Sequence, residues 1–176
     1  MRVPIWVSAF ELECCQPDAT VGEEWTASVV VLKPRQPWWA QHSPEPVPEE
    51  VLTLGVAELE GTAASVTLHS RSAIVDVGGG RVIVPGVRSE GPVAISGRLW
   101  LDAHEHPEHQ GVPGLEWSGV AERILGIRLV YRPVTVYRAI PVRQEPPVEL
   151  KSTSDRRDPA MIDREFAEFL IYLEVT

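Results

Sequence analysis

Proline and glycine punctuate this chain so closely that no long helix fits between them: 16 Pro and 13 Gly stand among 176 residues, about one residue in six. Pro lacks a backbone donor and fixes φ, and Gly loses the most entropy on ordering, so short elements joined by turns are what remains. Between the breakers, apolar residues return at every second position. Trp25, Ala27, Val29 and Val31 share one face of a segment whose other face carries Glu24, Thr26 and Ser28. Val93, Ile95, Gly97, Leu99 and Leu101 likewise alternate with Ala94, Ser96, Arg98, Trp100 and Asp102. A period of two marks a half-buried strand. Many such strands with Gly and Pro turns predict an all-β fold, a barrel or sandwich with one or two short helical turns.

The alternation predicts strands over Arg2 to Glu13, Trp25 to Leu32, 51–60, 63–70, 72–77, 81–87, 93–102, 116–132 and 134–142 (the last two hinged at Pro133), and 165–175. Two segments break the pattern, a Pro-rich loop at 33–50 and a polar linker at 144–158. In the first, Pro37 suits the opening position of a helical turn that would carry Trp38 and Trp39. Large aromatics are usually well buried, so this pair is expected to fold back as a lid over one end of the barrel. The length suits one domain, 1–176, with a core that needs neither disulfides nor a structural metal.

Charge is unevenly placed. The net value is −9, and residues 1–60 hold three basic and ten acidic groups while 61–150 hold nine of each. An acidic first third repels phosphate backbones, so no nucleic-acid partner is expected. Arg123, Arg128, Arg132, Arg138 and Arg143 occur with no intervening Asp or Glu. They read either as a basic surface for an acidic partner or as the solvated face of two strands. The partner expected is another protein or a second copy of this chain, with Trp38, Trp39, Arg123, Arg128, Arg132 and Arg138 as candidate surface residues. No apolar run approaches the ~18 residues of a spanning helix, so no membrane partner is expected. Glu11 and Glu13 interrupt the apolar opening before any cleavage site, which points to a cytoplasmic protein.

Potential chemistry gathers in two places. Cys14 and Cys15 are adjacent, and on extended backbone their side chains point to opposite faces. They are expected as free thiols, one buried and one partly exposed, with a redox or thiol role as a further reading. The richer cluster is Asp102-Ala103-His104-Glu105-His106-Pro107-Glu108-His109. Asp102, His104 and His106 share a face in extended chain, and a bend at Pro107 would return His109 towards them. These four form a candidate site for a divalent metal such as zinc; otherwise the segment is a solvated loop. Its His-x-His-x-Glu-His string resembles the HxHxDH motif of metallo-β-lactamase-fold hydrolases, with Glu for Asp. However, no histidine follows His109 to complete such a site. Gly78-Gly79-Gly80 lacks the Lys-Ser/Thr of a phosphate loop, and no GxSxG elbow occurs, so no organic cofactor and no catalytic residue is assigned. The function expected is a non-enzymatic binding or assembly module, the alternative a metal-dependent, hydrolase-like enzyme using the Asp102 cluster.

Several motifs also resemble one family. Trp6-Val7-Ser8-Ala9-Phe10-Glu11-Leu12-Glu13-Cys14-Cys15, then Val21-Gly22-Glu23-Glu24-Trp25-Thr26, is similar to the opening of small actinobacterial proteins known only as a domain of unknown function. Asp102 to His109, Gly111-Val112-Pro113, Gly119-Val120-Ala121-Glu122-Arg123-Ile124 and the closing Phe169-Leu170-Ile171-Tyr172-Leu173-Glu174 resemble it too. The resemblance covers about half the chain and implies no activity. It does place the cysteine pair and the histidine cluster in one pattern.

Overall fold

A computed structural model describes residues 1–67, 72–102, 115–136, 138–157 and 166–176. Its strands are β1 (Arg2–Ser8), β2 (Glu24–Ala27), β3 (Val30–Lys33), β4 (Val56–Thr67), β5 (Ser72–Asp76), β6 (Arg81–Pro85), β7 (Gly91–Leu101), β8 (Trp117–Ile127), β9 (Leu129–Thr135), β10 (Arg138–Gln144), β11 (Val148–Leu150) and β12 (Glu168–Glu174). Two short helices, α1 (Ala9–Cys14) and α2 (Glu49–Thr53), and 3₁₀ turns at Trp38–His42 and Thr153–Arg157 complete them. The fold is all-β and barrel-like, as the alternation and the breakers predict. Among the described residues no helix is long and apolar enough to cross a membrane.

Five strands close into a ring in the order β7-β3-β6-β5-β4 and back to β7. Strand β7 is the junction. One of its edges pairs with β4 from Gly91 to Arg98, then passes to β1 at Leu99 and Trp100, while β3 holds the opposite edge over Arg98–Leu101. From that junction the sheet runs on through β1, β12 and β8, with β2 and β11 pairing on β8. Strands β9 and β10 form a separate hairpin. The close approach of β7 to β3 depends on Gly97, because a Cβ there would run into the carbonyl oxygen of Lys33.

The long strands bury both faces. Val3, Ile5 and Val7 of β1, Leu99 and Leu101 of β7 and Phe169, Ile171 and Leu173 of β12 join the main core, which continues into the ring through Val75, Val82, Val84 and Ile95. On the opposite face Trp6, Trp100, Leu125, Ile127 and Leu170 form a second cluster.

Several expected elements differ. The first strand ends at Ser8, and the segment expected to extend it to Glu13 is α1. A capping box explains the stop: the Glu11 N–H donates to Ser8 Oγ (3.2 Å) while the Ser8 N–H donates to Glu11 Oε2 (3.3 Å), which satisfies two orphan donors at the helix start. The strand expected over Trp25 to Leu32 is two, β2 on β8 and β3 on β7. The strands expected over 51–60 and 63–70 differ as well: residues 51–53 belong to α2, the chain from Val56 to Thr67 is one strand, β4, with an irregular register between Ala63 and Ser65, and 68–70 lie outside the described residues. Pro133 is not a hinge but lies within β9, opposite Ala139. The polar linker is largely structure, because β11 pairs with β8 and Thr153 is fully buried, its hydroxyl donating to Asp18 Oδ1 (2.9 Å).

Candidate functional site

Alternation places the chemistry of this molecule on the second face of the sheet. Trp6 and Ser8 of β1 lie opposite Leu170 and Glu168 of β12, Trp6 is in register with Trp100 of β7, and Arg98 is in register with Lys33 of β3. The 3₁₀ turn at Trp38–His42 and the β9 side of the hairpin stand over this face, leaving a cleft of about 550 Å³. Lys33, Trp38, Arg98, Trp100, Tyr131 and Glu168 are among its walls.

Trp100 lines the cleft, and Trp6 is stacked behind it. The Arg98 guanidinium sits 4.6 Å from the Trp6 ring centroid, Trp6 stacks on Trp100 at 5.7 Å and 21°, and Lys33 Nζ lies 5.2 Å from the Trp100 ring. The result is a cation–ring–ring–cation column. Trp6 is anchored from behind, its Nε1 donating to the Gly55 carbonyl at 3.1 Å.

Arg98 is 1% exposed. Its Nη2 donates to the Val51 carbonyl at 2.5 Å, but Nε and Nη1 meet no acceptor. Burial pushes the guanidinium down to about 10, against the pull of the Glu168 carboxylate, so it stays a cation at neutral pH. Glu168 is 4% exposed and accepts from Trp38 Nε1 at 2.9 Å. Burial pushes its carboxyl upwards, and the Trp38 hydrogen bond and the charges of Arg98 and Lys33 offset only part of that. Burial, and then the Glu168 charge, also raises the Tyr131 phenol. Buried opposite charges without full hydrogen-bond partners are costly in an apolar interior, and clefts holding them are where ligands bind or reactions run.

The residues singled out in the sequence are dispersed. The tryptophan pair divides: Trp39 is 2% exposed, whereas Trp38 is 51% exposed and reaches into the cleft. Arg123 pairs with Glu149 at 3.1 Å, Arg128 stacks 4.5 Å from the Phe166 ring, and Arg132 and Arg138 are exposed on the hairpin. Asp102 is 5% exposed and shares a smaller pocket of about 220 Å³ with Glu11 and Lys33. His104, His106 and His109 lie outside the described residues. Among those described, no three His, Cys, Asp or Glu residues gather as a metal site would require.

The cysteines are not the free thiols of a strand that the sequence led us to expect. Cys14 and Cys15 are bonded to each other, both are exposed, and they end a helix rather than a strand. Because the chain turns helical at Ala9, the extended geometry that would send their side chains apart does not exist.

Arg98, Glu168, Lys33, Trp100 and Tyr131 were not singled out as site residues in the sequence, although two of them left a signal. Arg98 is a charge inside an alternating apolar strand on the same face as Trp100, and Glu168 stands at the head of the apolar closing strand. A charge within a segment about to be buried is a binding or catalytic candidate. Comparison with protein-family models, with curated proteins and with solved structures finds no match.

Proposed function

We propose that this protein is a binding module for a small organic anion, held in the cleft between the second sheet face and the Trp38 turn. One observation carries the reading: Arg98 is a buried cation on the cleft wall with two nitrogens that meet no acceptor. Leaving such donors unmatched costs roughly 1–3 kcal/mol, and more for a charged group, which an anionic ligand would offset. Lys33 adds a second positive charge at the cleft, and Trp38, Trp100 and Leu129 offer apolar contact to the body of the ligand. A volume of about 550 Å³ falls within the range of small-molecule sites. The ligand class that fits is a carboxylate attached to a ring or a short apolar body.

Calorimetric titration with benzoate, acetate and benzamide tests this. Benzoate is expected to bind, with acetate weaker for want of a ring and benzamide at least about tenfold weaker for want of charge. Arg98→Met, checked for folding by circular dichroism, is expected to lose at least about tenfold in benzoate affinity. Equal affinity for benzoate and benzamide, or undiminished binding by Arg98→Met, would rule the reading out.

A further inference from the structure

Resting on that reading, we infer that the cleft takes up its anion together with one proton, which Glu168 holds, so that the species bound is in effect a weak organic acid. The geometry is the placement of one buried cation and one buried carboxyl in the same cleft. Arg98 and Glu168 are both nearly inaccessible, at 1% and 4% exposed, and both line it. With Glu168 ionised, these two charges balance. A monoanion seated on Arg98 leaves the buried site with an excess negative charge, and a proton on Glu168 restores neutrality.

The other groups around Glu168 do not remove that excess. Lys33 on β3 offsets only part of it, because the side chain is exposed and solvent screens its charge. Tyr131 on β9 has its phenol raised and is neutral at physiological pH. From the 3₁₀ turn, Trp38 Nε1 is a neutral donor already bound to Glu168 Oε1, and Gln41 carries no charge. On β1, Ser8 faces Glu168 in register, and its hydroxyl donates to Glu11 Oε2 at 3.0 Å, which adds a second carboxylate behind it. On β8, Ile127 lies opposite Glu168, and the Arg128 that follows stacks on the Phe166 ring. Burial thus already raises the carboxyl above its ordinary range, and the incoming anion raises it further.

The test is benzoate binding to the whole chain from about pH 5 to about pH 8, with proton uptake read by an indicator dye in weakly buffered solution. Affinity is expected to fall with rising pH, approaching tenfold per pH unit, with uptake of up to one proton per benzoate. In Glu168→Gln the slope and the uptake are expected to vanish, with affinity at neutral pH equal to or above that of the natural chain. Binding with no proton uptake by the natural chain overturns the coupling while leaving the anion site standing. A slope that persists in Glu168→Gln also overturns it. Failure of benzoate to bind at any pH overturns the anion site and the coupling with it. Were Glu168→Gln not to fold, proton uptake by the natural chain alone would decide.

Discussion

At the scale of single residues, Arg98 and Glu168 are costly groups in places where apolar side chains would pack more cheaply. For Glu168 the direction of the cost is testable without any ligand. Its carboxyl is raised above the ordinary 4.5 in the folded chain, so the folded state holds its proton more tightly than the unfolded state does. Its contribution to stability is therefore fully present below the ordinary value and is lost as pH rises through the higher, folded value. Glu168→Gln never ionises and keeps the Trp38 hydrogen bond. It is expected to match the natural chain at low pH and to exceed it in stability at neutral pH, measured by urea denaturation at both. Equal stability at both pH values would mean that the Glu168 charge costs nothing where it lies. Neither residue belongs to a sequence motif. The signal was an ionisable group on the less apolar side of an alternation that also carried Trp100 or Leu170, and a single alternation does not say whether both of its faces will be covered.

Among the elements, α1 shows how local chemistry overrides period. Val3, Ile5 and Val7 read as a strand that continues, yet Ser8 and Glu11 stand in capping-box spacing and turn the chain into a helix. Ser8→Ala removes the cap oxygen and is expected to cost about 1 kcal/mol in thermal or urea unfolding. The helix ends in the Cys14–Cys15 disulfide. Iodoacetamide is accordingly expected to leave the unreduced chain unmodified and to label both cysteines after dithiothreitol, read by mass spectrometry. At the β7–β3 contact, Gly97→Ala drives a methyl group against the Lys33 carbonyl. A loss of about 1–3 kcal/mol in stability is expected, since this backbone contact yields only if two paired strands separate. Turn chemistry of this kind lay in the sequence; the close approach at Gly97 did not, because it depends on which strand pairs with which.

For the molecule as a whole, ring closure and sheet extension meet at β7, and β12 locks the extension between β1 and β8. Phe169, Leu170, Ile171 and Leu173 of β12 are each 0% exposed. At roughly 1.5–3 kcal/mol for each buried side chain, they match the ~5–15 kcal/mol total stability of an ordinary domain. A chain truncated before Glu168 is therefore expected to lose cooperative unfolding, seen as a sloping thermal melt and a collapsed amide spectrum. A truncated chain that still melts sharply would show that the ring of β3 to β7 folds without the extension. The cleft would vanish with β12 in either case, because Glu168 is one of its walls.

The sequence by itself determined the all-β class, the position of most turns and the short helical turn at Trp38, because alternation, breakers and caps act over a few residues. Tertiary structure decided the closing of five strands into a ring, the branching of the sheet at β7 and the site itself. Lys33, Arg98 and Glu168 stand far apart in the chain and come together through the pairings of β1 with β7 and β12 and of β3 with β7, and the separate β9–β10 hairpin brings Tyr131 to the same cleft. Strand pairing is a non-local choice, set by which faces can be buried together, and the periodicity of one strand does not encode its partner.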